Sequence, residues 1–199
     1  MKNFLIALKL IVLMTLILGI LYPIAITGIT QAIFPHRASG SILVNNGKVI
    51  GSVLIGQKFE SDRYFWPRPS AIDYNPLPSG GSNLGPTSAE LQKQIVSRRT
   101  ILLKTHGLNE RAIIPLDLLF ASGSGLDPHI SPEAARFQIN RITRTRGFDK
   151  NGENELHKLI DKYIEPRDFV VLGEPRINVI KLNVALDSLG AKLGKDNGK

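Results

Sequence analysis

One N-terminal transmembrane helix followed by a mixed α+β extracytoplasmic domain is the α+β architecture that this sequence predicts. Three observations point to it. Leu10–Phe34 carries no ionisable side chain except the phenol of Tyr22. Short runs rich in β-branched residues then flank an Asn-Gly pair, a hairpin signal. Beyond them, apolar residues recur at helical spacing behind helix-opening Ser, Thr and Pro. With 199 residues there is room for one domain and an appendage. The chain has no cysteine, which excludes disulfides, thiolate-bound zinc, iron–sulfur clusters and a cysteine nucleophile.

The apolar stretch comes first. Its 25 residues would span roughly 37 Å as a helix, against a hydrocarbon core of about 30 Å. Lys2 and Lys9 could form the positive end of a signal peptide. Signal cores usually run about 7–15 residues, and Thr30-Gln31-Ala32 is a weak cleavage site, so an uncleaved anchor is expected. Lys2 and Lys9 ahead of the helix nearly balance Arg37 and Lys48 behind it. The free amino group tips the count toward a cytoplasmic N-terminus. The chain's charge is +8, and the part beyond the helix, without Lys2 and Lys9, carries +6. Ala25, Gly28 and Ala32 lie along one helix face where another helix could approach closely. Tyr22-Pro23 should disturb the helix, because proline removes a backbone donor.

The soluble elements follow in order. Strands are expected at Ile42–Val44 and Val49–Ile55, around Asn45-Asn46-Gly47-Lys48. Residues Gln57–Pro86 combine many turn formers with Phe59, Tyr64, Phe65, Trp66 and Tyr74, so an ordered irregular loop is expected. Thr87 through Glu90 reads as a capping box, with Thr87 as N-cap of a helix ending near Gly107. Ser131-Pro132-Glu133 opens a second helix that closes with Arg141, Arg144 and Arg146 before Gly147. Leu156, Leu159, Ile160 and Tyr163 mark a third. Phe169–Leu172 reads as a strand, and Ile177–Leu186 as a strand, a helix, or one turning into the other.

Catalytic templates fail. There is no phosphate-loop motif, no H-E-x-x-H and no G-x-S-x-G, and no metal ligands are expected among His36, His106, His129 and His157. Ser124, Asp127 and His129 are neighbours in a turn-rich stretch, but a catalytic triad needs a spatial arrangement that sequence proximity does not supply. A structural turn around Asp127-Pro128 is expected there. Ser79, Gly80, Gly81, Ser82, Asn83 and Gly85 form a Gly-rich loop running into a helix start. Such a loop could cradle a nucleotide phosphate, or form a rigid turn packed on its own aromatics. Arg63 and Arg68 among Tyr64, Phe65 and Trp66 suggest an arginine–aromatic cluster, not a nucleic-acid site.

Four segments are more specific than any template: GSVLIGQKF at Gly51–Phe59, YFWPRPSA at Tyr64–Ala71 with SGGSNLG at Ser79–Gly85, ASGSGLDPHISPEAARFQINRITRTR at Ala121–Arg146, and GEPRINVIKLNVALD at Gly173–Asp187. Together with the N-terminal helix they resemble the C subunit of the Kdp-type potassium-transporting ATPase, from Met1 to about Leu189. The resemblance implies a short cytoplasmic N-terminus (1–9), a transmembrane helix (10–34), an extracytoplasmic domain (35–189) and a flexible tail (190–199) in a bacterial inner membrane. It implies a channel-like potassium-binding subunit, a P-type ATPase subunit and a small membrane peptide as partners, alongside the lipid bilayer. It also implies a catalytic chaperone that raises the ATP affinity of the ATPase subunit, with no hydrolytic site of its own and ATP bound only through the complex. Ala25, Gly28, Ala32, Ser124, Asp127 and His129 are then candidate subunit contacts. A domain outside the membrane cannot touch cytoplasmic ATP, so any effect on nucleotide affinity must pass through the complex. A conformational preference of about 1.4 kcal/mol would change that affinity tenfold. The competing class is a membrane-anchored extracytoplasmic binding protein or hydrolase.

Overall fold

In the computed structural model, residues 1–45 and 47–196 are described, and they form two units that divide after Ser52. The first unit opens with a long apolar helix, Lys2–Ile33. It comprises α1 (Lys2–Leu16), a π-helical turn over Ile17–Leu21, and α2 (Tyr22–Ile33). The helix therefore begins ahead of the apolar stretch and takes in Lys2 and Lys9. Pro23 has no amide to donate, and the disturbance expected beside it takes the form of the widened turn. Thr27 donates its hydroxyl to the Pro23 carbonyl at 2.7 Å, so its polar group is met within the helix. Ala25, Gly28 and Ala32 are all exposed in the isolated chain.

After a short α3 (Pro35–Ala38), strands β1 (Ile42–Asn45) and β2 (Lys48–Ser52) pair antiparallel. Asn45 pairs with Lys48 and Val44 with Val49, with a bulge between Leu43 and Val44. Gly47 takes the positive φ that a tight hairpin turn requires, whereas Asn46 lies outside the described residues. The second strand ends at Ser52, short of the expected Ile55.

The second unit carries the core. Helix α4 (Ala89–His106) is capped by Ser88, whose hydroxyl accepts from the Leu91 amide at 3.3 Å. This corrects the expected Thr87 cap by one residue. Ser88 holds the extended φ/ψ of a cap, and Glu90 instead accepts from the Gln94 side chain one turn on. The helix stops at Gly107, in the left-handed conformation. The helix expected from Ser131 to Gly147 is divided into α5 (Pro132–Phe137) and α6 (Ile139–Arg146), with Gln138 between them. Ser131 caps α5 through the Ala134 amide, and Asp149 caps α7 (Lys150–Tyr163) through the Gly152 amide. Strands β3 (His129–Ile130) and β4 (Ile177–Asn178) form a two-residue antiparallel pair. The chain turns directly from β4 into α8 (Val179–Asp196), the strand-into-helix alternative. Residues 190–196, expected within a flexible tail, are helical, because Leu182, Leu186, Leu189 and Leu193 keep an apolar stripe running along α8. Residues 197–199 lie outside the described residues.

Phe169–Leu172 corrects a further expectation. It is a tight turn, with Asp168 and Leu172 paired across it and Phe169 and Val170 in the left-handed region. The apolar composition that suggested a strand has no sheet neighbour to pack against.

The core gathers Leu102 of α4, Leu118 and Leu119, Ile139 and Ile142 of α6, Leu156 and Ile160 of α7, and Leu182 and Leu186 of α8. Phe65 of the aromatic loop is also buried in it. Among these apolar side chains lies Arg141, 0% exposed. Its four acceptors are neutral: the carbonyls of Asp62 and Tyr64, the Gln138 side-chain oxygen at 2.7 Å, and Nε2 of His106 at 3.3 Å. The guanidinium also stacks 4.3 Å from the centre of the Trp66 ring. Gln138 and Asn183 extend the clamp. Gln138 accepts from the Trp66 amide and donates to its carbonyl, and Asn183 does the same for Phe65. The irregular loop is thus held by the buried side chains of Gln138, of Arg141 in α6 and of Asn183 in α8, which supply the backbone partners that a sheet would otherwise provide.

His106 donates from Nδ1 to the Leu102 carbonyl at 2.9 Å, which leaves Nε2 to accept from Arg141. Burial, and secondarily the adjacent Arg141 charge, push its pKa down to about 4. An unfolded histidine titrates near 6.5. The folded state therefore refuses a proton that the unfolded state accepts between these values. This contribution to stability is complete above about pH 6.5 and is lost as pH falls toward 4. Denaturant unfolding of the full chain in detergent should lose roughly 3 kcal/mol over that window through this group. His106→Gln, which keeps a neutral acceptor, should make the profile flatter than the parent's; identical profiles would refute the assignment.

Candidate functional site

The two Gly-rich segments singled out in the sequence, far apart along the chain, meet in space. A Cβ built on Gly81 would lie 2.7 Å from the Gly123 carbonyl oxygen. One on Gly125 would lie 2.8 Å from the Gly80 carbonyl and 2.6 Å from the Ile72 side chain. Gly125 also has φ +72, a conformation that favours glycine. On the neighbouring side, Gly56 donates its amide to the Leu126 carbonyl at 2.7 Å and leaves no room for a side chain beside Asp127. Ser122 donates its amide to the Pro69 carbonyl. These glycines let backbone pack directly on backbone, so loop 57–86 and turn 121–129 form one surface.

The other candidates occupy ordinary turn positions on that surface. Ser82 accepts weakly from the Leu84 amide, at 3.5 Å, and Asn83 sits at φ +52. Ser79, Asn83 and Gly85 are exposed. Ser124 accepts from the Leu126 amide at 3.1 Å, which closes the turn. It is exposed, whereas Asp127 and His129 are half-buried.

Asp127 is the electrostatic centre of the surface. One carboxylate oxygen accepts from Arg68 at 3.2 Å. The other accepts from the His129 amide at 3.0 Å and faces His129 Nδ1 at 3.3 Å. Burial alone would raise the Asp127 pKa, but the His129 hydrogen bonds and the Arg68 charge outweigh it and hold the carboxyl below its ordinary value. Polar contacts continue from His129 Nε2 to Glu165 at 3.8 Å, and Glu165 pairs with Lys181 at 2.9 Å and Arg176 at 3.6 Å. Tyr74 donates its hydroxyl to the Arg68 carbonyl, and burial raises its pKa far above the usual value. Asp127 thus acts as a brace joining loop 57–86, turn 121–129 and strand β3.

Nothing in this arrangement sets a nucleophile against a base, and among the described residues no group of three His, Asp or Glu side chains is placed to hold a metal ion. Loop 79–85 itself contains no lysine or arginine that could meet a phosphate. An open hollow of about 570 Å³ lies elsewhere on the unit, between the aromatic loop and α4, walled by Phe59, Trp66, Pro67, Leu102 and Leu118, with Lys58 bridging Glu60 and Asp73 at its edge; no residue of loop 79–85 lines it.

The sequence reading missed Glu165, Lys181, Gln138 and Asn183, and gave two arginines other roles. Arg68, expected in an arginine–aromatic cluster, pairs with Asp127. Arg141, expected among the cations closing a helix, is the buried one that stacks on Trp66. A signal for the clamp existed: Ala134, Gln138 and Arg141 fall on one helical face, so two long polar residues share the side that carries Ala134. Of the partners of Asp127, His129 lies two residues on, whereas Arg68 is brought from a distant segment and leaves no local pattern.

The loop contact predicts a paired result. Gly81→Ala places a methyl group against the Gly123 backbone and should destabilise the full chain by about 1–3 kcal/mol. Gly80→Ala meets open space within the chain and should stay within about 0.5 kcal/mol of the parent. Denaturant unfolding in detergent measures both; equal effects would show that the loops do not pack as described.

A family described as the K⁺-transporting ATPase c chain matches residues 4–188. Among curated proteins, the potassium-transporting ATPase KdpC subunit of Leptospira interrogans is 48% identical, with 92% of each chain covered. That of Geobacter metallireducens is also 48% identical, over 92% of this chain and 96% of its own. That of Geobacter sulfurreducens is 47% identical, over 95% and 99%.

Proposed function

We propose that this chain, which belongs to the KdpC family of potassium-transporting ATPase c chains, is a non-catalytic accessory subunit of an ATP-driven potassium uptake complex. In this reading it is needed for assembly and raises the ATP affinity of a P-type ATPase subunit. The observation that carries the proposal is the extent of the match. It spans residues 4–188 and so takes in the apolar helix, the aromatic loop, the turn at Asp127 and the closing helix together.

The physical division of labour follows from the elements. The helix Lys2–Ile33 is long and apolar enough to cross a membrane, and we place it in the bacterial inner membrane with its N-terminus in the cytoplasm. The domain then lies outside, away from ATP. Its influence on nucleotide binding is a coupling free energy: it binds one conformation of the assembly better and shifts the population toward it. The braced surface of loop 79–85 and turn 121–129 supplies fixed turns with exposed donors and acceptors, which suits docking on the channel-like subunit. The other partners in this reading are the ATPase subunit and a small membrane peptide.

Two experiments test this. Protease added to sealed right-side-out spheroplasts should degrade the domain beyond Lys48, and full protection would reverse the topology. A Cβ built on Gly28 would meet no other side chain or packed backbone within 4 Å among the described residues, so Gly28→Leu should leave the isolated protein inserted. It should weaken assembly, because the bulky side chain separates helix backbones. It should also raise the apparent KM for ATP of the purified complex, by about tenfold for a coupling loss of about 1.4 kcal/mol. An intact complex with unchanged ATP dependence would count against the helix face as a contact.

A further inference from the structure

The segment joining α7 to β4 carries Phe169-Val170-Val171-Leu172 at its tip, and these residues are 87, 84, 73 and 58% exposed. Apolar residues scattered singly over a surface need no explanation, but four in succession at the tip of one turn do. The turn is well tied. Asp168 and Leu172 exchange two backbone hydrogen bonds, both 2.9 Å, and Val170 donates its amide to the Arg167 carbonyl. Below them Glu165 and Arg176 exchange bonds of 2.8 and 3.0 Å. Ion pairs tie the same stem: Arg167 to Glu174 at 2.6 Å, Arg176 to Asp168 at 3.3 Å, and Lys181 to Glu165 at 2.9 Å. Phe169 and Val170 have φ of 51 and 71. For a β-branched residue that conformation is an outlier. The chain accepts strain in order to hold apolar groups outward in one fixed shape.

We propose that this tip is a docking plug that enters an apolar hollow of another subunit of the potassium-transporting complex; the proposal rests on the subunit role given above. Three observations favour a protein hollow over a lipid surface. The stem cations Arg167, Arg176 and Lys181 each hold a carboxylate, so the charge of the stem is largely compensated within it and offers little attraction to anionic headgroups. A shape fixed in advance gains affinity against a fixed counterpart, because less entropy is lost on docking, and a fluid bilayer offers no such counterpart. The amides of Phe169 and Val171 have no acceptor among the described residues. In hydrocarbon such groups are costly, whereas a protein hollow can present carbonyls to them.

The chain has no cysteine, so Val170→Cys in the full chain gives a single thiol for an environment-sensitive dye. In the complex, reconstituted in vesicles of mixed zwitterionic and anionic lipid, the dye should be blue-shifted relative to the same chain reconstituted alone. It should be shielded from aqueous iodide by about tenfold and should remain unquenched by spin-labelled lipid. Quenching by the lipid would place the tip in the bilayer, and unaltered iodide access would leave it in water; either result overturns the proposal. A second variant removes the apolar groups without harming the turn. Phe169→Asn combined with Val170→Gly uses residues that tolerate positive φ, so the unfolding midpoint of the chain should hold or rise. Recovery of the other subunits on the tagged chain should meanwhile fall about tenfold, the effect of roughly 1.4 kcal/mol. Full recovery refutes the plug. Failure of the unaltered chain to recover any other subunit would refute the subunit role itself and the plug with it.

Discussion

The domain depends on a cation buried without a carboxylate. Removing a guanidinium from water costs several kcal/mol even after relaxation, and here that cost is offset by neutral dipoles and an indole face. Two of the Arg141 acceptors are main-chain carbonyls of the segment that leads into Phe65 and Trp66, and the third and fourth are Gln138 and His106. Arg141 therefore does for the aromatic loop what a neighbouring strand does in a sheet. It satisfies the backbone, fixes the path, and lets Phe65 enter the core at full burial. The more distant Asp62 carboxylate adds attraction, but burial prevails and lowers the Arg141 pKa to about 10, so the charge persists at neutral pH.

From that clamp the rest of the surface follows. Once residues 62–66 are fixed, the loop leads to Arg68, which meets Asp127, and to Pro69, which meets Ser122. The glycines at 56, 81 and 125 complete the contact by leaving out side chains where backbone meets backbone. A Gly-rich run that suggested an anion cradle is in this way occupied by its own chain along one edge, while Ser79, Asn83 and Gly85 remain outward. The tip at Phe169–Leu172 is the opposite case, a tied turn whose apolar side chains stay largely exposed among the described residues.

Features that depend on nearest neighbours were legible in the sequence. The apolar helix, the capping serine at 131 and the left-handed stops at Gly107 and Gly147 all rest on interactions within a few residues. The misplacement of one cap, Thr87 for Ser88, shows the resolution of such reasoning: adjacent hydroxyl residues are equally able to cap, and the backbone path into the helix chooses between them. The strand expected at Phe169–Leu172 failed for a different reason. β-propensity expresses packing against a neighbouring strand, and among the described residues none lies there.

The sequence by itself determined that this chain has a membrane-length apolar helix, an α+β unit without cysteine, and motifs distinctive enough to imply its family. Those properties are set by composition, local spacing and the identity of short segments. Only the tertiary structure decided that Gln138, Arg141 and Asn183 face inward on the loop and that the two Gly-rich segments touch. It alone placed Asp127 between Arg68 and His129, and left four apolar residues unburied. Each of these joins or separates groups far apart along the chain. Their pairing is set by the closure of loops around a shared core, and no local pattern records that closure.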